Sequence, residues 1–407
     1  MELTVRACAN PEEAAAAIRA CEVAFGWGVS EQDMAMWQTI FEHDRIFGVY
    51  SEDLLVGAGA NYSFELTIPG GSLPTAGVTL IGVKPSHRRK GALRKIIAAL
   101  HADAEQRGEP LAILWASESN IYQRFGYGTA SMAMALDAER DRMAFLEDEG
   151  AVGQLRQVEE GEALEVLPGI YDQVCARTPG MYKRSAAWWK AHVLYDPAEH
   201  RNGGGPAFTF VLEIDGRATG YVIYRIKSEW DLTPKNSFNL IETMGIDPVA
   251  EKELWRFMTG VDLVARVKAP FQPVDYPVHL WVTEPRRLGA RIVEALFLRI
   301  LDLERALTVR GYGAAGALVI EVTDDLHPSN TGRWRLDTHG AKVSVDRTDD
   351  IPDVQLDTRD LAATYLGAFS LSDLLAAGRG VSRSDEVTEL FDDMFRTPRK
   401  PWCPEIF

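Results

Sequence analysis

Cysteine is scarce: Cys8, Cys21, Cys175 and Cys403 lie far apart in 407 residues, and none is spaced as Cys-x-x-Cys. That argues against a zinc knuckle and against a disulfide framework, and no metal is expected. Long apolar runs are missing too. No stretch reaches the roughly 18 residues needed to span a bilayer, and the N-terminus lacks a basic segment followed by an apolar core. A cytoplasmic protein without a membrane span is the expectation. Basic residues are in deficit, 43 Lys and Arg against 59 Asp and Glu, for a net charge of -16. Nucleic acid is a poor partner for such a chain, because phosphate binding depends on lysine and arginine displacing counterions. A cationic small molecule suits the field better, although acidity also serves solubility alone.

What is present is ordinary for a folded protein: 46% hydrophobic and 25% charged residues. The length exceeds one ordinary core, and three domains are expected, at 1–137, 138–285 and 286–407. The first alternates helix and strand, with helices over Pro11 to Phe25 and Gly91 to Arg107 and strands over Leu55 to Thr67, Val78 to Val83 and Pro110 to Trp115. The second repeats that grammar, with Asn239 to Met244 leading through Gly245-Ile246-Asp247-Pro248 into a helix, but its loop is acidic where the first is basic. After Pro285 the pattern predicts a long helix over Arg291 to Arg310, then strands and short helices of an α+β domain.

The basic loop carries the chemistry. Between the strand ending at Val83 and the following helix stands Arg88-Arg89-Lys90-Gly91-Ala92-Leu93-Arg94. Backbone N–H groups at a helix start face an anion readily, arginines clamp it, and glycine lets the main chain approach closely. This is a pyrophosphate cradle, set against the plainer reading of a solvated basic turn. It fits neither the GxxxxGK[ST] nor the GxGxxG nucleotide loop. It resembles instead motif A of the GCN5-related N-acetyltransferases, with Leu93 where glycine or alanine is usual. Further on, Ile121-Tyr122-Gln123-Arg124-Phe125-Gly126-Tyr127-Gly128 follows a strand and resembles the segment that lies beside the thioester in those enzymes.

With Leu73-Pro74-Thr75-Ala76-Gly77 added, the chain resembles the enhanced intracellular survival (Eis) acetyltransferases from end to end. The resemblance implies a mixed α/β (α+β) fold: two GCN5-related acetyltransferase-like domains, the second without a cofactor loop, then a sterol-carrier-protein-like domain. It also implies a homohexamer built from two trimers. The implied activity is acetyl-CoA-dependent N-acetylation of polycationic amines, aminoglycoside antibiotics above all, with protein lysines or polyamines as the alternative acceptors. A binding protein with a vestigial transferase domain is the reading from another class.

Residue by residue, the resemblance makes Tyr122 the general acid and the α-carboxylate of Phe407 the general base. Acetyl-CoA would meet the backbone of Ile81, Gly82 and Val83, then Arg89, Lys90, Gly91, Ala92, Leu93 and Arg94, then Ser117 and Glu118. Phe25 and Trp37 would line the amine pocket. Two positions depart from the family: Trp27 and Ile406 stand where acidic residues are expected, with Glu22 and Glu405 as candidate substitutes.

Overall fold

The computed structural model describes residues 3–146 and 150–407. The chain forms two compact units, one from Met1–Ser131, Ala295–Pro401 and Ile406–Phe407, the other from Met132–Glu294 and Trp402–Glu405.

The first unit begins β1 (Leu3–Ala7), α1 (Pro11–Phe25), α2 (Glu31–Trp37), β2 (Ile46–Ser51), β3 (Leu54–Ile68), β4 (Gly71–Val83), α3 (Ala92–Gln106), β5 (Leu111–Trp115), α4 (Ser119–Tyr122) and β6 (Gly128–Thr129). Local signals set these helices. Asn10 caps α1 by accepting from the Glu13 N–H at 2.9 Å, Pro11 takes the first turn, and the left-handed Gly26 ends it. Ala14, Ala17, Ile18 and Cys21 recur every three to four residues and are buried. In α3 the same spacing buries Ile96, Ile97, Leu100 and Ala104, the larger side chains contributing about 1.5–3 kcal/mol each.

The seven-stranded sheet of this unit runs β1-β2-β3-β4-β5, then Leu296–Ile300, then β6. Only β4 and β5 pair in parallel. The strand beside β5 corrects the expected long helix over Arg291 to Arg310: that stretch is a strand Arg291–Glu294, the strand Leu296–Ile300 and a short helix Leu303–Val309. A strand buried on both faces is apolar at every position and loses the alternation that marks a strand, so its sequence reads as a helix. The polar exception, Arg299, is fully buried and gives one guanidinium nitrogen to both oxygens of Asp324, each at 2.6 Å.

The same unit contains a five-stranded sheet ordered Ser344–Arg347, Gly332–Asp337, Ala317–Thr323, Val354–Asp357, Val381–Ser382, with helices that include Thr358–Tyr365 and Asp385–Phe395. The second unit has its own seven-stranded sheet, ordered Arg291–Glu294, Met132–Glu139, Val264–Pro273, Asn236–Gly245, Arg217–Lys227, Phe208–Ile214, Gln154–Val158. Its strand Met132–Glu139 crosses residue 137, where the sequence suggested a boundary, and pairs wholly within this sheet.

Candidate active site

Two features of β4 open a cleft. The ladder to β5 runs from Thr75 opposite Leu111 to Gly77 opposite Ile113. Toward β3 the register shifts, Ala60 facing Thr79 while Ala58 faces Gly82, and Leu80 takes a positive φ of 52°. A bulge of this kind twists a strand and re-aims the residues beyond it. The Val78–Val83 end of β4 thus continues beyond its ladder with β5, which leaves main-chain groups for an extended ligand to pair with.

The cleft itself has a volume of about 850 Å³. It gathers most of the residues expected from sequence: Ile81, Gly82 and Val83 from β4; Arg89, Gly91, Ala92, Leu93 and Arg94 from the basic loop and the first turn of α3; Ser117, Glu118 and Tyr122 from the β5–α4 segment; and Phe25 from the end of α1. Lys90, Trp37 and Phe407 lie outside this lining. The Lys90 ammonium donates to the Ser86 carbonyl at 3.2 Å.

Positive charge gathers in the lining. Gly91 is the N-cap of α3 with φ 84°, a left-handed conformation that suits glycine, and no side chain caps the helix. The first-turn N–H groups therefore keep the positive end of the helix dipole open toward the loop. Arg88, Arg89, Arg94 and Arg124 line the cleft against one acid, Glu118. Arg88 also shapes the loop, donating to the Val83 and Ala24 carbonyls at 3.2 Å each and so tying α1 to β4. Leu93, unusual in its motif, packs against the core of the domain together with Ile81 and Val83.

Tyr122 lines the same cleft. It terminates α4, is buried, and meets Tyr127 edge-on with ring centroids 6.0 Å apart. Burial pushes its phenol up to about 12, so it holds its proton at neutral pH. The glycines of this motif have a steric reason. A Cβ on Gly126 would lie 2.1 Å from the Arg299 guanidinium, and one on Gly128 would lie 2.0 Å from the Arg359 carbonyl oxygen. The segment thus needs glycine to pass the buried Arg299 and the helix Thr358–Tyr365.

The remaining expected residues sit among aromatics. Phe25 lies 5.8 Å from Trp27, and Trp27 meets Trp37 edge-on at 5.3 Å. Phe407 packs edge-on against Phe64 at 5.0 Å, and Phe64 stacks on Tyr62, which stacks on Phe41. Phe64 also covers Gly77, the last β4 residue paired with β5, since a Cβ there would lie 2.3 Å from its ring. Neither candidate acid stands ready in place of the acids expected at Trp27 and Ile406. Glu22 holds its own loop by accepting from the Val29 N–H at 3.1 Å, and Glu405 is bound by Arg184 at 2.7 Å.

Five lining residues escaped the sequence reading: Ala24, Ile121, Arg124, Phe125 and Leu326. Ile121, Arg124 and Phe125 stand inside the quoted motif, and the basic side chain beside Tyr122 was the signal. Leu326 comes from a region some two hundred residues away and carries no local mark. Among the described residues, no group of three or more His, Cys, Asp or Glu could hold a metal, and no helix is long and apolar enough to cross a membrane.

Comparison with known proteins identifies the domains of the chain. Residues 5–130 and 180–300 each match an acetyltransferase (GNAT) domain family, and residues 303–404 match a sterol carrier protein domain. The chain is 38% identical over 391 residues to an uncharacterized N-acetyltransferase of Streptomyces avermitilis, covering 94% of this chain and 95% of that protein. It is 30% identical over 376 residues to the N-acetyltransferase Eis of Mycobacterium tuberculosis, covering 90% of each. Among solved structures, Eis1 of Mycobacterium abscessus superposes with a TM-score of 0.86 at 29% identity, over 99% of this chain and all of that one. A GCN5-related N-acetyltransferase of Anabaena variabilis shares the fold, with a TM-score of 0.86 at 20% identity over the whole of both chains.

Proposed function

The chain belongs to the Eis family of GCN5-related N-acetyltransferases, and from that premise we propose that it transfers the acetyl group of acetyl-CoA to amines of polycationic acceptors, aminoglycosides foremost. The observation that carries this is the one cleft joining a bulged β4, an uncapped helix start with four arginines, and the protonated Tyr122.

The co-substrate brings a thioester carbonyl. Arg89, Arg94 and Arg124, with the N–H groups of Gly91 to Arg94, hold its pyrophosphate. The backbone of Ile81 to Val83 holds the pantetheine arm as an added strand. Trp27 and Phe25 present aromatic faces to an ammonium group, which cation–π attraction favours by about 0.5–1 kcal/mol at exposed sites. The Phe407 carboxylate takes the proton from the attacking amine as its nitrogen bonds to the acetyl carbon. The carbon–sulfur bond breaks, and Tyr122 protonates the departing sulfur. Its raised pKa then draws a proton back from solvent. Proximity accounts for most of the rate, with acid and base adding about 10²- to 10⁴-fold.

The assay is coenzyme A thiol release with tobramycin or kanamycin, products being identified by mass spectrometry. Protein that binds acetyl-CoA but releases no thiol with any amine refutes the enzyme reading. Of the second acceptor class, protein lysines or polyamines, protein lysines are favoured by Trp27 and by the engagement of Glu22 and Glu405 in other contacts. A single ammonium on an aromatic face needs fewer acids than a polycation does. The same panel with a lysine peptide and spermidine separates the two. The assembly is a hexamer and its place the cytoplasm, the former to be read by light scattering on the purified protein.

A further inference from the structure

The end of the chain is held at more points than tethering requires. The Trp402 N–H donates to the Pro179 carbonyl at 2.8 Å and its indole N–H to the Phe271 carbonyl at 2.5 Å. Its ring joins a core cluster with Val174, Trp189 and Tyr221. Three residues later Glu405 is bound again. One carboxylate oxygen accepts from Arg184 Nε at 2.7 Å; the other accepts from the Trp188 indole at 3.3 Å and faces His192 Nε2 at 3.4 Å.

Arg184 is built for this. Its two remaining nitrogens go to Glu242, at 2.9 and 2.5 Å, and its guanidinium lies 3.9 Å over the Tyr171 ring. Glu242 in turn accepts from the Tyr221 hydroxyl at 2.6 Å. Burial alone would push the Glu405 carboxyl up, but Arg184, with His192 and Tyr182, more than offsets this and holds it below the usual carboxylate range.

A buried ion pair is a poor way to add stability, since apolar side chains of the same volume do as well or better. What it adds is direction, because charge-assisted bonds from a planar guanidinium fix a carboxylate in place. The tail already has an apolar anchor in Trp402. Glu405 stands two residues before the terminal carboxylate, and two residues of extended chain span at most about 7 Å. We infer that the Arg184–Glu405 pair is a positioning device for the terminal carboxylate, fixing the point from which Ile406 and Phe407 reach out. At the end of the chain the Phe407 ring packs edge-on against Phe64. This rests on the reading of Phe407 as general base.

Glu405→Gln tests it, because it keeps the shape of the side chain and leaves Arg184 paired with Glu242. The expected result is an unchanged far-UV circular dichroism spectrum and an acetyl-CoA affinity within about twofold of the parent. Turnover falls by about 10- to 100-fold, the scale on which a catalytic group displaced by an ångström loses rate. Carboxypeptidase A, which removes C-terminal aromatic residues, releases Phe407 at least about tenfold faster, following the weaker hold on the tail. Unchanged turnover, unchanged release, or a fall in turnover matched by an equal loss of acetyl-CoA affinity overturns the inference. A chain extended by one glycine past Phe407 tests the underlying reading separately. Full turnover in the extended chain removes Phe407 as base. Lost turnover there, with full turnover in Glu405→Gln, removes only the positioning device. If Glu405→Gln does not fold, Glu405→Asp, which keeps the charge but draws the tail back by one methylene, is read by the same measurements with the same expected direction.

Discussion

Both acetyltransferase-like domains place a helix after the fourth strand of the same sheet order, and they treat its first turn in opposite ways. In the first, α3 starts at a left-handed Gly91 with no side-chain cap, behind a loop of arginines. In the second, the helix Pro248–Gly260 starts at Asp247, whose carboxylate accepts from the Ala250 N–H at 2.8 Å, with Pro248 at the first position and Glu251 in the first turn. An anion site at a helix start depends on free N–H groups and the dipole behind them. An aspartate cap supplies the anion from within, and proline removes a donor. The second domain has thus kept the scaffold and occupied its helix start with its own carboxylate.

The contrast is sharpened or broken by four changes. The largest effect is expected from Tyr122→Phe, which keeps the ring and removes the acidic proton. Turnover should fall about 10²- to 10⁴-fold while the acetyl-CoA dissociation constant holds, and equal loss of both would make Tyr122 structural. Next, Gly91→Asp writes the second domain's device into the first. Calorimetry should show acetyl-CoA affinity falling by at least about tenfold, since a charge is now placed against the pyrophosphate. Third, Asp247→Ala should cost about 0.5–2 kcal/mol of stability as a lost cap, read by chemical denaturation, and leave acetyl-CoA binding unchanged. Last comes acid stability. Burial, with His327 and Arg299 adding to it, holds His101 well below its usual 6.5. Because this native value is depressed, the neutral ring stabilises the fold above pH 6.5, and that contribution is lost as protons bind the unfolded state below it. Glu405, also depressed, contributes above the ordinary carboxylate range and is lost only at lower pH. Melting followed against pH should therefore weaken first below 6.5, and His101→Gln should make that limb shallower, with His327, also held below 6.5, supplying what remains.

The residues that sequence could show were those lying together along the chain. Arg88 to Arg94 and Ile121 to Gly128 are contiguous, and each carries its chemistry in a few positions. The rest depended on approach in space. Leu326 reaches the cleft from the third region, and the need for Gly126 and Gly128 is explained only by Arg299 and Arg359 passing beside them. Leu296–Ile300 was misread because burial on both faces erased its alternation. Trp27, read only as a missing acid, stands between Phe25 and Trp37 as part of an aromatic wall.

The most direct test is a calorimetric titration of acetyl-CoA into the parent chain, Gly91→Asp and Asp247→Ala. The expected result is one site per chain, weakened by Gly91→Asp and indifferent to Asp247→Ala. Two sites per chain, or a single site that Asp247→Ala disturbs and Gly91→Asp does not, would contradict the assignment of the anion-binding cleft to the first domain.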